Sequence, residues 1–273
     1  MPDLIPLRHL IIDMDGVLWR GDTPLPGLVA FFHALRRRDI TFVLATNNAS
    51  KTPDQYVAKL VGMGVTVTHD EILTSAQAAA LHVARHASNG ARVFAIGEDG
   101  VRQALAEQGL RLAGLYEVDA GFVVVGMDRR LSWDKLATAT LNIRAGAQFV
   151  GTNPDATLPT ERGITHGNGA VLAALTAATG VTPIIIGKPE PIMYQQTLAR
   201  LGGTTTDTWA LGDRLETDIL GAKRAGLRSI LVLSGVTTPE QLAASDYQPD
   251  LVLADIAALT DRLVRGDADR EAR

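Results

Sequence analysis

Four short segments carry residue types that could do chemistry. Asp13 and Asp15 stand two apart in DMDG, directly after the apolar run HLII. In an extended segment positions i and i+2 project the same way. Carboxylates next to an apolar run are costly to bury unless paired or bound to a metal. Thr46, Asn47 and Asn48 close the run ITFVLA; a hydroxyl, amides and the following backbone N–H groups can bind phosphate oxygens without adding charge. Lys188 follows IIIG and precedes Pro189. A lysine at a buried strand end, its backbone restricted by proline, is placed to neutralise an anion. Asp213 closes WALG, with Glu216 and Asp218 close behind; carboxylates beside Gly212 suit a hard cation such as Mg²⁺, which takes oxygen ligands and keeps several waters. Taken singly, each segment has a plainer reading: solvated aspartates capping a strand, a turn, a snorkelling surface lysine. What they share is position, because all four close an apolar run.

Those runs predict strands. HLIIDMD (9–15), ITFVLATN (40–47), ARVFAIG (91–97), GFVVVGMD (121–128), AQFVGTN (147–153), TPIIIGK (182–188), TWALGD (208–213), RSILVLSG (228–235) and PDLVLAD (249–255) are continuous and β-branched rather than alternating. Strands buried on both faces of a parallel sheet read this way. Helical patterns separate them. Thr52 predicts an N-cap, with Pro53 at the first helical position and Gly62 or Gly64 at the end. Ser132 predicts the cap of a helix through Arg144 that stops near Gly146, and Thr217 the cap of one ending at Gly226. The alternation predicts an α/β architecture, in which ligands bind at the carboxyl edge of the strands. The chemical residues cluster at 13–48 and 187–218, whereas the middle has strands and helices but none of these signals. This predicts a domain inserted into another: 1–74 and 181–273 form a catalytic core, and 75–180 the insert.

Composition narrows the function classes. With 273 residues and 46 % hydrophobic content the chain can bury a proper core in one large or two modest domains. A net charge of -4 argues against a nucleic-acid polymer as partner. It also means that positive charge for an anionic substrate must be concentrated locally. The absence of cysteine excludes disulfides, thiolate catalysis and cysteine-ligated metal centres, and points to the cytoplasm. The start MPDLIPLRHLIIDMDG is interrupted by Arg8, His9 and Asp13, which predicts neither signal peptide nor anchor. No stretch approaches the roughly 18 apolar residues of a membrane span. The polar tail GDADREAR (266–273) is expected to fray.

In order and spacing, DMDGVL, ATNN, GKPEP and GDRLETD resemble the four motifs of the haloacid dehalogenase superfamily of phosphatases, and the resemblance runs over the whole chain. The middle segment, through VVVGMDR (123–129) and GTNPDATLPT (151–160), is similar to the large α/β cap of the NagD-like branch, which includes 4-nitrophenylphosphatase-like and pyridoxal-phosphatase-like enzymes. The resemblance implies a Rossmann-like parallel-sheet core with an inserted α/β cap domain. It implies Mg²⁺-dependent hydrolysis of a small phosphomonoester through an aspartyl phosphate. Residue by residue, it implies Asp13 as nucleophile and metal ligand, and Asp15 as general acid and base whose backbone carbonyl also ligates the metal. Thr46, Asn47 and Asn48 would hold the transferring phosphoryl group, and Lys188 would balance its charge. Asp213 would be the third protein ligand, and Asp218 would support the metal directly or through water. Relatives of this kind often pair through the cap, so a homo-oligomer is implied too. The cap loop at Asn153, Pro154 and Asp155 is the candidate substrate selector, since it can supply polar contacts; an Asx-type turn is the equal alternative.

Rival readings meet specific residues. An alkyl halide leaves without a proton, so Asp15 favours phosphoryl chemistry over dehalogenation. A phosphomutase differs only in what accepts the phosphoryl group. A silent binding protein on this scaffold would be expected to lose Asp13 or the metal carboxylates, and all are present. GNGAVL (167–172) lacks the third glycine of a dinucleotide fingerprint. IIIGKP is no P-loop, because Thr182 stands five before Gly187 and Pro189 replaces Ser/Thr. His82 and His86, four apart on a predicted helix with no third ligand evident, read as surface histidines. Met127 and Trp133 read as packing residues.

Overall fold

The computed structural model describes residues 7–88, 90–160 and 162–271. Residues 1–6 of the start and 272–273 of the tail lie outside these. The chain divides into two compact units: Met1–Thr46, Tyr56–Leu73 and Pro189–Arg273 form one, Asn47–Gln55 and Thr74–Lys188 the other.

The first unit is built on a six-stranded sheet in the order Leu251–Leu253, Arg228–Val232, Thr208–Gly212, His9–Ile12, Thr41–Thr46, Ile72–Thr74. His9–Ile12 is central and pairs in parallel with Thr208–Gly212 on one side and Thr41–Thr46 on the other. From it the chain moves outward in one direction through 41–46 and 72–74. It later returns beside the first strand and moves outward the other way through 228–232 and 251–253. The strand order therefore reverses between His9–Ile12 and Thr208–Gly212. Such a switch point leaves a crevice at the carboxyl edge, because the connections on its two sides diverge. Ile12 is registered opposite Leu211, so Asp13 and Asp213 leave the sheet from neighbouring strands. Beneath that edge Leu10, Ile12, Leu44 and Leu211 are buried with Phe31 and Leu35 of helix Leu28–Arg37 and Leu259 of helix Ile256–Glu271. Each such side chain contributes about 1.5–3 kcal/mol on burial.

The second unit holds a five-stranded sheet in the order Ile184–Ile185, Gln148–Gly151, Phe122–Val125, Arg92–Ile96, Arg111–Leu112, with every pair parallel. Phe94, Val123, Val125, Phe149, Leu172 and Leu175 fill its core. The run TPIIIGK thus pairs within this sheet, and the second unit ends after Lys188 rather than at 180. An apolar run signals a strand but not which of two parallel sheets it joins. Ile184–Ile185 is an edge strand with Ile184 exposed, not one buried on both faces.

The nine expected strands all form. The two hairpins, Trp19–Arg20 with Thr23–Pro24 and Thr157–Thr160 with Gly163–His166, and the short strands Ile72–Thr74 and Arg111–Leu112 escaped the sequence pattern. None of these stands in a continuous β-branched run like those of the nine expected strands. Two caps hold: Thr52 exchanges hydrogen bonds with Gln55 at 3.0 and 3.4 Å ahead of helix Pro53–Gly62, and Ser132 Oγ accepts from the Lys135 N–H at the start of helix Trp133–Arg144. Thr217 is not a cap. It lies inside a five-residue π-helical turn, Leu215–Ile219, that runs into helix Leu220–Arg224. Trp133 is not a packing residue either, being 82 % exposed. Its helix buries Thr138, Ala139, Asn142 and Ile143, and at 100° per residue position 133 lies opposite that stripe. His86 is exposed while His82 is half-buried, and their rings are 4.4 Å apart. The polar tail continues as helix to Glu271.

Candidate active site

The carboxyl edge of the first unit's sheet is lined with acid. The Asp13 N–H donates to the Leu211 carbonyl at 2.8 Å, which prolongs the ladder one residue past the strand and fixes the Asp13 backbone. Asp213 is fully buried at the end of Thr208–Gly212. Its Oδ2 accepts from the Val236 N–H at 2.7 Å, and its carbonyl from the Thr237 N–H at 3.2 Å. Gly16 and Gly235 press against this carboxylate, and a Cβ on either would overlap it. Gly16 also sits at φ +86°, a left-handed conformation that favours glycine. This is why the D-x-D segment is followed by glycine.

Asp218 enters from the π-helical turn, a form of backbone common at functional sites. Its Oδ2 accepts from the Arg214 N–H at 3.1 Å, and the buried Tyr194 hydroxyl donates to its carbonyl at 3.0 Å. Gly212 leaves room for its side chain. Asp13, Asp213 and Asp218 each offer a carboxylate oxygen within 4.8 Å of the others. Among the described residues they are the one cluster with the geometry to hold a metal ion. Like charges this close and this buried repel strongly in a medium of low dielectric, and a cation removes the repulsion. The donors are all oxygen, which fits Mg²⁺ or Ca²⁺ rather than a metal that prefers nitrogen or sulfur.

Asp15 has different surroundings. Its side chain is exposed, and Oδ1 accepts the indole N–H of the fully buried Trp19 at 2.8 Å. Trp19 stacks on Tyr56, ring centroids 6.4 Å apart, and carries the Lys59 ammonium 4.6 Å from its ring centre. Burial, and after it the charges of Asp15 and Asp13, pushes the Tyr56 hydroxyl far above the ordinary tyrosine range. Tyr56 therefore stays a neutral phenol, its hydroxyl buried behind the site. Asp13 and Asp15, close in sequence, are thus engaged differently, one in the acid cluster and one on an aromatic wall.

The remaining expected site residues lie in the second unit. Lys188 is only 3 % exposed, which removes the surface-lysine reading. Its N–H donates to Asn47 Oδ1 at 2.8 Å, and its carbonyl accepts from Asn47 Nδ2 at 2.9 Å. Asn48 Oδ1 accepts from the Ser50 N–H and hydroxyl at 2.9 and 2.7 Å. Asn153 and Asp155 are engaged within the protein. Asn153 Nδ2 donates to the Asn47 carbonyl at 2.8 Å, and the Asp155 N–H donates to Asn153 Oδ1 at 3.2 Å, the Asx-type turn. Asn47 Nδ2 faces the Asp155 carboxylate at 3.3 Å. Pro154 is half-buried between them. Trp19, Tyr56 and Tyr194 were not found from sequence. Each is a lone aromatic residue with no motif around it, and only the fold reveals that its polar atom reaches the site.

Residues 10–111 match the family model described as haloacid dehalogenase-like hydrolase, and 185–259 match a second, HAD-hydrolase-like model. The chain is similar to the 5'-nucleotidase YutF of Bacillus subtilis, 39 % identical over 89 % of this chain and 93 % of that protein. It is similar to the acid sugar phosphatase of Staphylococcus saprophyticus, 38 % identical over 91 % of this chain and 95 % of the relative. Among solved structures it is similar to the glycerol phosphate phosphatase of Mycobacterium tuberculosis in complex with magnesium, at TM-score 0.86 and 38 % identity, covering 94 % of this chain and 77 % of that one. The same phosphatase has also been solved with calcium.

Proposed function

Since this chain belongs to the haloacid dehalogenase-like hydrolases and is a phosphatase of that family, acting on small phosphorylated substrates, we propose that it cleaves phosphomonoesters through a phosphoryl group carried on Asp13, with Mg²⁺ held by Asp13, Asp213 and Asp218. The observation that carries the reading is the convergence of those three carboxylates. When bound, the cation would offset the charge of substrate and nucleophile and favour in-line attack.

In this reading an Asp13 oxygen attacks phosphorus while the bond to the leaving oxygen breaks, and Asp15 delivers its proton to that oxygen. Asp15 then takes a proton from water, which attacks the same phosphorus. Inorganic phosphate leaves and the Asp13 carboxylate is restored. Thr46 and the backbone N–H groups after it cradle the phosphoryl oxygens, and Lys188 balances their charge. The exposed side chain of Asp15 supports its assignment, because an acid–base group must reach both leaving group and water. The second unit serves as the cap that selects the leaving group, and the enzyme is cytoplasmic.

The relatives' names set the test. Nucleoside monophosphates, sugar phosphates, glycerol phosphate and 4-nitrophenyl phosphate are assayed for released phosphate with and without Mg²⁺. Net release that requires the metal is expected, and it separates a hydrolase from a phosphomutase. No release from any member with Mg²⁺ present would sink the reading.

A further inference from the structure

Asn47 closes the strand Thr41–Thr46 in sequence, where an amide reads as a phosphate contact. Its observed partners are different. Past Ile184–Ile185 the edge strand continues its ladder for two residues, the Ile186 N–H donating to the Gly151 carbonyl and the Gly187 N–H to the Thr152 carbonyl at 3.0 and 2.9 Å. The neighbouring chain then turns away into its Asx turn, and Lys188 would have no strand beside it. The Asn47 carboxamide takes that place. Its Oδ1 accepts from the Lys188 N–H at 2.8 Å and its Nδ2 donates to the Lys188 carbonyl at 2.9 Å, the two-point pairing that a strand neighbour would make.

Two further features belong to this arrangement. A Cβ on Gly187 would lie 2.5 Å from Asn47 Oδ1, so the glycine before the lysine lets the amide approach. The second Nδ2 hydrogen faces Asp155 at 3.3 Å, which tells the amide which way round to sit. The Asn47 carbonyl is held as well, by Ser75 Oγ at 2.6 Å and Asn153 Nδ2 at 2.8 Å. A half-buried amide with both ends engaged is oriented uniquely, since a flip would set donor against donor and acceptor against acceptor.

We propose that Asn47 is a positioning residue for Lys188: its side chain grips the main chain of the lysine on both sides, and Asp155 orients that grip. The loop of Asn153 and Asp155 then acts on the charge-balancing lysine through Asn47. This rests on the role of Lys188 in the reading above. Displacing a charged group by about 1 Å at a site of this kind costs turnover on the order of a hundredfold.

The test uses the full chain with Mg²⁺ and 4-nitrophenyl phosphate. Asn47→Ala should lower kcat about 10- to 100-fold with KM little changed. Lys188→Ala should lower kcat as well. In the Lys188→Ala background, adding Asn47→Ala should change kcat by less than about twofold, because the two act as a unit. Asn47→Asp keeps the acceptor for the Lys188 N–H but sets an oxygen against both the Lys188 carbonyl and Asp155. Its loss should be relieved by about threefold or more when Asp155→Asn returns a donor there. A purely structural defect would give no such rescue. Should Asn47→Ala not fold, the isosteric pair decides alone. Multiplying losses in the Asn47/Lys188 double variant, a raised KM with kcat intact, or the absence of rescue would each overturn the assignment. A Lys188→Ala enzyme with full turnover would instead overturn the role of Lys188 itself, and the inference with it.

Discussion

Asp13 belongs to a cluster of carboxylates, whereas Asp15 accepts the indole N–H of Trp19. If the first is nucleophile and the second acid and base, the two substitutions separate in time. Asp13→Asn should leave no phosphoenzyme at all. With Asp15→Asn, 4-nitrophenyl phosphate still departs as a stable anion, so the first step largely survives while water attack loses its base. A burst of nitrophenolate followed by slow turnover is then expected, with phosphate accumulating on Asp13. Rapid quench and intact-protein mass spectrometry would look for the added mass. An Asp13→Asn enzyme of full activity, or one labelled elsewhere, contradicts the covalent route. Loss of burst and adduct in Asp15→Asn contradicts only the timing given to Asp15.

Among the elements, helix Ser75–His86 shows how local sequence sets a boundary. The Thr74 hydroxyl accepts from the Gln77 N–H at 3.1 Å while Gln77 Oε1 accepts from the Thr74 N–H at 3.0 Å, a full capping box on a buried threonine. Thr74→Ala should cost about 1 kcal/mol, and Thr74→Ser, which keeps the hydroxyl, should cost less; urea denaturation compares them. The same helix carries His82 near its end. Burial, then the charges of His86 and Arg85, holds His82 below its ordinary 6.5. The folded state thus binds its proton less readily than the unfolded state. The stability it contributes is present above about pH 6.5 and is lost as pH falls toward the lowered folded value. His82→Gln should flatten the fall in stability on that acid side. A denaturation series against pH that is unchanged in the variant would contradict this.

At the scale of the whole molecule, the acid cluster joins segments far apart in the chain, Asp13 at one end and Asp213 and Asp218 some two hundred residues on. A cation that binds only the folded arrangement stabilises it by mass action, about 2.7 kcal/mol at a concentration one hundred times its dissociation constant. Mg²⁺ should therefore raise the thermal midpoint of the metal-free chain, and EDTA should abolish hydrolysis until Mg²⁺ is returned. Undiminished turnover after exhaustive chelation, together with a midpoint indifferent to Mg²⁺, would contradict the assignment of the three carboxylates.

The sequence by itself determined the architecture and the residue types of the candidate site. Continuous β-branched runs and their caps are local signals, and Asp13, Thr46, Lys188 and Asp213 each directly follow such a run or close it. The resemblance of DMDGVL, ATNN, GKPEP and GDRLETD to known motifs needed only order and spacing. The tertiary structure decided what depends on neighbours distant in the chain. Strand order brought Asp13 beside Asp213, and a π-helical turn brought in Asp218 where a capped helix was expected at Thr217. Sheet pairing assigned Ile184–Ile185 to the second unit, since an apolar run has the same composition in either sheet. The work of Asn47 was decided in the same way. Its amide looks like a phosphate ligand in a linear motif, but hydrogen-bond partners 141 and 108 residues away settle what it holds. Periodicity records which face of an element is buried, and it carries no record of which distant atom a buried polar group must meet.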